Sequence, residues 1–99
     1  MKIISRKMIR EFGESDKVAL VALDEWYLRL KHTEAKNLAE LQMTFPTADL
    51  VGTCTVFNVG GNKYRVIAKI VYRSQTVYMR AVLTHKEYDK DGWKPDCGK

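Results

Sequence analysis

Between Lys63 and Tyr88 the sequence sets out cations and proton-transfer groups at intervals that a phosphodiester could use. They are Lys63, Arg65, Lys69 and Arg73 in NKYRVIAKIVYR, Arg80 in VYMRAVL, and His85, Lys86 and Tyr88 in THKEYD. Arg65 and Arg80 suit a phosphate clamp, because a guanidinium is always charged and donates two parallel hydrogen bonds to one anion. Lys63, Lys69, Arg73 and Lys86 supply point charges around it, and Tyr78 offers a ring on which a base can stack. His85 and Tyr88 are the groups able to move a proton, imidazole being the side chain that titrates near neutral pH. Cys54 and Cys97 lack CxxC spacing, and His32 and His85 have no ligand partners at metal-like intervals. The sequence therefore predicts no metal, no cofactor and no required disulfide.

For these side chains to act together they must share a face. Three strands are expected, at 53–59, 63–72 and 76–83, joined by GGN and RSQ at hairpin lengths into an antiparallel meander. Gly60 and Gly61 supply the positive φ that a tight hairpin needs. In the second strand, period two sends Tyr64, Val66, Ala68 and Ile70 to one side, and Arg65, Ile67, Lys69 and Val71 to the other. In the third, Val77, Met79, Ala81 and Leu83 oppose Tyr78, Arg80, Val82 and Thr84. The expectation is that the wholly apolar sets face helices. The mixed sets then share the outer face, where Lys63, Arg65, Lys69, Tyr78 and Arg80 form a flat or concave cationic surface.

The helices come first in the chain. Ser5 offers an N-cap to a helix carrying Met8, Ile9 and Phe12 that ends at Gly13, after a possible edge strand at 1–4. Ser15 and Asp16 announce the main helix, at about 18–32, with Ala19, Leu23, Trp26, Tyr27 and Leu30 on its apolar face. Thr33 and Glu34 repeat the start signal for a third helix through Leu38, Leu41 and Phe45, which Pro46 stops. TADLVG reads as a crossing loop. THKE fits a capping box, Thr84 with Glu87, that opens a final helical turn. The tail KDGWKPDCGK is open between a free segment and one folded back through Trp93. At 99 residues the chain is expected to form one α+β domain, 1–99, with two or three N-terminal helices packed on a small antiparallel sheet.

Seventeen Lys and Arg against twelve Asp and Glu give a net charge of +5, which favours an anionic partner. MKIISRKM is unlike a secretory leader, and no stretch approaches the roughly 20 apolar residues of a spanning helix, so a cytoplasmic protein without a membrane partner is expected.

The runs VFNVGGNKYRVIA and VYMRAVLTHKEYDK, in that order and spacing, resemble the HigB-type branch of the RelE-like toxins of bacterial toxin–antitoxin pairs, and the likeness extends weakly back through NLAELQMTFPTADLVG. The resemblance implies a compact fold of helices followed by a sheet, and a translation-inhibiting ribonuclease that cuts messenger RNA, usually on the ribosome. It also implies silencing by a cognate HigA-like antitoxin with a DNA-binding helix-turn-helix. In metal-independent RNA cleavage the 2′-hydroxyl attacks the adjacent phosphate, and the protein supplies alignment, proton transfer and cations. The resemblance makes Arg65, Arg80, His85 and Tyr88 the catalytic candidates, with Lys63, Lys69, Arg73, Tyr78 and Lys86 contacting RNA. Two alternatives stay open: a gyrase-poisoning toxin of the same superfamily, and a non-catalytic RNA-binding module.

Overall fold

A computed structural model describes residues 1–99. Helix α1 (Lys7–Gly13) closes against α2 (Lys17–Lys31) because Gly13 has no side chain: a Cβ there would lie 2.7 Å from Leu20. Asp16, rather than Ser15, caps α2. Its carboxylate accepts the Ala19 amide at 3.0 Å, satisfying one of the helix's unpaired N–H groups. The other carboxylate oxygen accepts the Tyr64 hydroxyl at 2.9 Å, tying the start of α2 to the sheet. The stripe Ala19, Leu23, Trp26 and Leu30 is buried, as its spacing predicts. Helix α3 (Leu38–Thr44) starts at Asn37 and not at Thr33–Glu34. Asn37 Oδ1 accepts from the Glu40 amide at 2.9 Å and Glu40 reaches back to the Lys36 amide at 3.0 Å, whereas the Thr33 hydroxyl donates to the Arg29 carbonyl.

The sheet has five strands: β1 (Lys2–Ile4), β2 (Asp49–Val51), β3 (Cys54–Val59), β4 (Tyr64–Val71) and β5 (Thr76–Thr84), in the order β1-β5-β4-β3-β2. The expected meander is β3-β4-β5. Two short strands extend it: β1 pairs with β5 in parallel, and β2, read from sequence as a crossing loop, pairs antiparallel with β3. The helices cover one face, where Tyr64, Val66, Ala68 and Val77 join the helical stripe in the main core. Phe57 sits at its centre, fully buried and edge-on to Trp26 and Phe45 at 5.2 and 5.4 Å. Truncating a phenyl ring so placed costs about 3–5 kcal/mol. No helix is long and apolar enough to cross a membrane.

Period two fails at one place in β5. Ile67 pairs with Ala81 but Ala68 pairs with Met79, so Arg80 is an extra residue in a β-bulge. Beyond it the faces exchange. Val82 packs on the main core, while Ala81 and Leu83, expected there, turn to the outer face beside Ile67. That face carries a second small core of Cys54, Val56, Ile67, Trp93 and Cys97, flanked by Val51, Ala81, Leu83 and Tyr88. It is built by the chain's last residues. After α4 (His85–Asp89), Trp93 folds back and a 3-10 turn, Lys94–Cys97, crosses the sheet.

The two cysteines, expected to need no partner, are joined: Cys54 and Cys97 form a disulfide across 43 positions. The Cys97 carbonyl accepts the Thr53 amide at 2.9 Å. Gly52 permits this approach, since its φ is +59° and a Cβ there would collide with the Cys97 oxygen.

Candidate active site

Three of the four catalytic candidates, Arg65, His85 and Tyr88, gather at the turn end of the β3–β4 hairpin. Thr84 and Glu87 form the predicted capping box: the Glu87 amide donates to the Thr84 hydroxyl at 3.1 Å, and the Thr84 amide to the Glu87 carboxylate at 2.9 Å. The His85 amide donates to the Lys63 carbonyl at 3.0 Å, fixing the first turn of α4 beside the hairpin tip. His85 and Tyr88, three residues apart, therefore lie on one side of α4, next to Lys63 and Arg65. Lys63 and Lys86 are exposed, and His85 and Tyr88 half-buried.

His85 Nδ1 lies 2.9 Å from Asp89 Oδ2, one turn along α4. An imidazole nitrogen against a carboxylate is the N–H donor, so Asp89 selects the tautomer in which Nε2 presents a free lone pair. The Tyr88 ring stacks on Trp93, with centroids 4.9 Å apart and 12° between planes, and the indole N–H donates to the Tyr88 carbonyl at 2.9 Å. Arg65 Cζ lies 5.2 Å from the Tyr88 centroid, a cation–π distance.

Arg65 differs from the outward clamp that its spacing suggests. It lies on the outer face but is only 7% exposed. Nη1 donates to the Asn62 and Tyr64 carbonyls at 3.2 and 3.1 Å, and Nη2 to Asn62 Oδ1 at 2.7 Å. Three of its five N–H groups are thus committed to the hairpin, and its plane to Tyr88.

Lys69, Tyr78 and Arg80 make a separate group in the middle of the sheet. Lys69 and Tyr78 are cross-strand partners, and Arg80 sits in the adjoining bulge, three residues along β5 from Leu83, the partner of Arg65. Three residues of strand are roughly 10 Å. Arg80 grips the tail: Nε and Nη2 donate to the two carboxylate oxygens of Asp96 at 2.8 and 2.9 Å, and Lys69 Nζ is 3.9 Å from the same carboxylate. The Arg80 hydrogen bonds hold the Asp96 carboxyl below the usual carboxylate range, with Lys69 adding to the effect, and Asp96 in turn raises Arg80. The outer face is consequently no bare cationic plane. The tail's apolar plug and its carboxylate cover the ground between the two groups. Arg73 joins neither group: it is exposed in the turn Tyr72–Ser74 that follows β4, eight residues from Arg65 and so roughly 25 Å away.

Sequence reasoning missed Asp89 and Asp96, and it left open the fold-back of Trp93 that the structure shows. Asp89 had a signal, since an acid four residues after His85 in THKEYD faces it on a helix. Asp96 had none. Cys54, Cys97 and Asp96 bring ligand-type atoms within 4.8 Å of one another, but sulfurs bonded to each other have no thiolate to offer a metal ion. A cleft of about 330 Å³ lies at the other side of the hairpin tip, lined by Trp26, Arg29, Asn58 and Gly60 among others, and contains none of the candidate groups.

The family model described as HigB_toxin, RelE-like toxic component of a toxin-antitoxin system, matches residues 19–91. The chain belongs to the HigB toxin family. The match spans α2 to α4, and so takes in the hairpin tip and His85 to Asp89. The chain is 37% identical over 95 residues to the protein named mRNA interferase toxin HigB of Escherichia coli strain K12, covering 90% of this chain and 88% of that one. It has the same identity and coverage with mRNA interferase HigB of Shigella flexneri. With mRNA interferase HigB of E. coli O6:H1 it is 31% identical over 93 residues, covering 91% and 90%. As the toxic half of a toxin–antitoxin family, the chain has a cognate antitoxin as its partner.

Proposed function

We propose that this member of the HigB toxin family is a metal-independent endoribonuclease that arrests translation by cutting messenger RNA on the ribosome. The reading is supported by the mRNA interferase relatives and by the hairpin-tip cluster. The observation that carries it is the His85–Asp89 contact at 2.9 Å, one helical turn from Tyr88 and beside the Lys63 carbonyl that anchors α4. With Nδ1–H held by Asp89, His85 Nε2 takes the proton of the attacking 2′-hydroxyl. Lys63 and Lys86, exposed at the tip, draw in the phosphate. The Tyr88 hydroxyl donates to the phosphate oxygens as charge builds there, its ring held by Arg65 and Trp93. In this scheme Arg65 is a positioning residue, acting through Tyr88. Arg80, Lys69 and Tyr78 extend the RNA path across the sheet. The antitoxin of this reading is HigA-like and binds DNA through a helix-turn-helix.

Attack by a 2′-hydroxyl leaves a 2′,3′-cyclic phosphate and a 5′-hydroxyl end. Primer extension on translated messages, with and without ribosomes and in the presence of EDTA, tests the proposal. New 5′-hydroxyl ends are expected that disappear with His85→Ala. Growth arrest with intact transcripts would overturn cutting in favour of a gyrase-directed toxin. RNA retention with neither cuts nor arrest would leave a binding module.

A further inference from the structure

Asp96 occupies the place on Arg80 that a phosphate would take. A carboxylate and a phosphate present the same pair of oxygens to a guanidinium, and Arg80 already spends its Nε and Nη2 donors on Asp96 at 2.8 and 2.9 Å, with Lys69 beside them. The next residue in the chain is Cys97, whose sulfur is bonded to Cys54 of β3. The seat for this segment is shaped in advance, because Gly52 alone leaves room for the Cys97 carbonyl, which the Thr53 amide then holds at 2.9 Å. Apart from the cystine, the segment is kept down by that bond, by the Trp93 packing with its indole N–H donating to the Tyr88 carbonyl, and by exposed ion pairs. Solvent reaches both ion pairs, so salt and RNA phosphate compete even for the two-pronged Arg80–Asp96 contact.

We infer that Cys54–Cys97 is a thiol–disulfide exchange site that latches residues 92–99 across the sheet and thereby masks Arg80 and Lys69 from RNA phosphate. The inference rests on the endoribonuclease reading and names the regulation of that site. The co-reactant is a dithiol reductant. Its thiolate attacks one cystine sulfur, the mixed disulfide resolves through its second thiol, and two electrons and two protons end on Cys54 and Cys97 as the reductant leaves as a cyclic disulfide. Both cysteines are fully buried, so exchange waits on local lifting of the segment. Once open, the carboxylate leaves the cationic face and two positive side chains are returned to it.

The test uses the whole chain and a single-stranded oligonucleotide of 2′-deoxy sugars, which cannot be cut, with binding read by fluorescence anisotropy at fixed salt. Cutting is followed separately on the all-ribose strand. Dithiothreitol is expected to tighten binding at least tenfold. The double variant Cys54→Ser, Cys97→Ser should bind that tightly with or without reductant. Affinities within twofold for oxidised and reduced protein overturn the latch, whether or not either form cuts. A tenfold redox difference in binding with no cutting by any form, in contrast, supports the latch and counts against the endoribonuclease reading alone. Should circular dichroism show that the reduced chain unfolds, Asp96→Asn in the oxidised protein decides. Severalfold tighter binding is expected with the disulfide intact, and unchanged affinity overturns the inference.

Discussion

Replacing Arg65 with Met separates a structural cation from a surface clamp. The guanidinium is 7% exposed, donates to the Tyr64 carbonyl in a buried bond of 3.1 Å, binds both the main chain and the side chain of Asn62, and lies 5.2 Å from the Tyr88 ring. Asn62 is exposed and regains water when the guanidinium is lost, so its two bonds add little. The buried bond to a charged donor is worth about 1.5–3 kcal/mol. A largely desolvated cation–π contact adds about 1–2 kcal/mol. Together they give a loss of about 3 kcal/mol, which for a chain of this size lowers Tm by roughly 15 °C. Urea and thermal unfolding of Arg65→Met should show that loss, and RNA cutting should fall with it as Tyr88 loses its support. Arg65→Lys should recover little of either, because one ammonium cannot reach separate acceptors in a planar fork. If Arg65→Met were instead as stable as wild type to within about 0.5 kcal/mol, as surface substitutions usually are, while cutting collapsed, Arg65 would be a clamp and the reasoning would be wrong.

Three further outcomes are expected. Gly52→Ala should dislodge the tail, since its Cβ would meet the Cys97 oxygen and its φ is +59°; faster proteolytic clipping near Trp93 with the rest of the chain protected would show this. Asp89→Ala removes the acceptor that fixes the His85 ring, so kcat should fall while KM and Tm stay put; an unchanged kcat would deny the contact a role in proton transfer. Asp16 is lowered, first by the Ala19 amide and then by the Tyr64 hydroxyl, whereas Tyr64 is raised by its bond to Asp16. A lowered acid contributes stability above its unfolded value that is lost as pH falls below about 4, and a raised phenol contributes stability below its unfolded value that is lost as pH climbs past about 10. Stability against pH should therefore decline at both ends, and Asp16→Asn should flatten the acid limb.

What the sequence disclosed was local. The capping box at Thr84 and Glu87, the α2 stripe, the three hairpin strands and the gathering of His85, Tyr88 and Arg65 are each set by residues within a few positions of one another or by simple alternation. Arg65 was placed on the right face, yet its burial was illegible, because the Tyr88 ring against it lies far along the chain. One extra residue in β5 turned Ala81 and Leu83 outward, and no count of period two registers an insertion in only one of two paired strands. Cys54 and Cys97 stand 43 positions apart, and neither their spacing nor their neighbours distinguishes a bond from two free thiols. β2 and β1 are three residues each, too short for alternation to signal, and are strands because a neighbour offers its edge.

Arg80 has no opposite number in the ladder. Met79 and Ala81 already satisfy consecutive residues of β4, so a chain shortened by that single position would keep all its cross-strand partners. The protein can therefore lose the ion pair between Arg80 and its C-terminal arm while the framework beneath keeps its pairing, which makes that one contact and the sheet's integrity separately heritable.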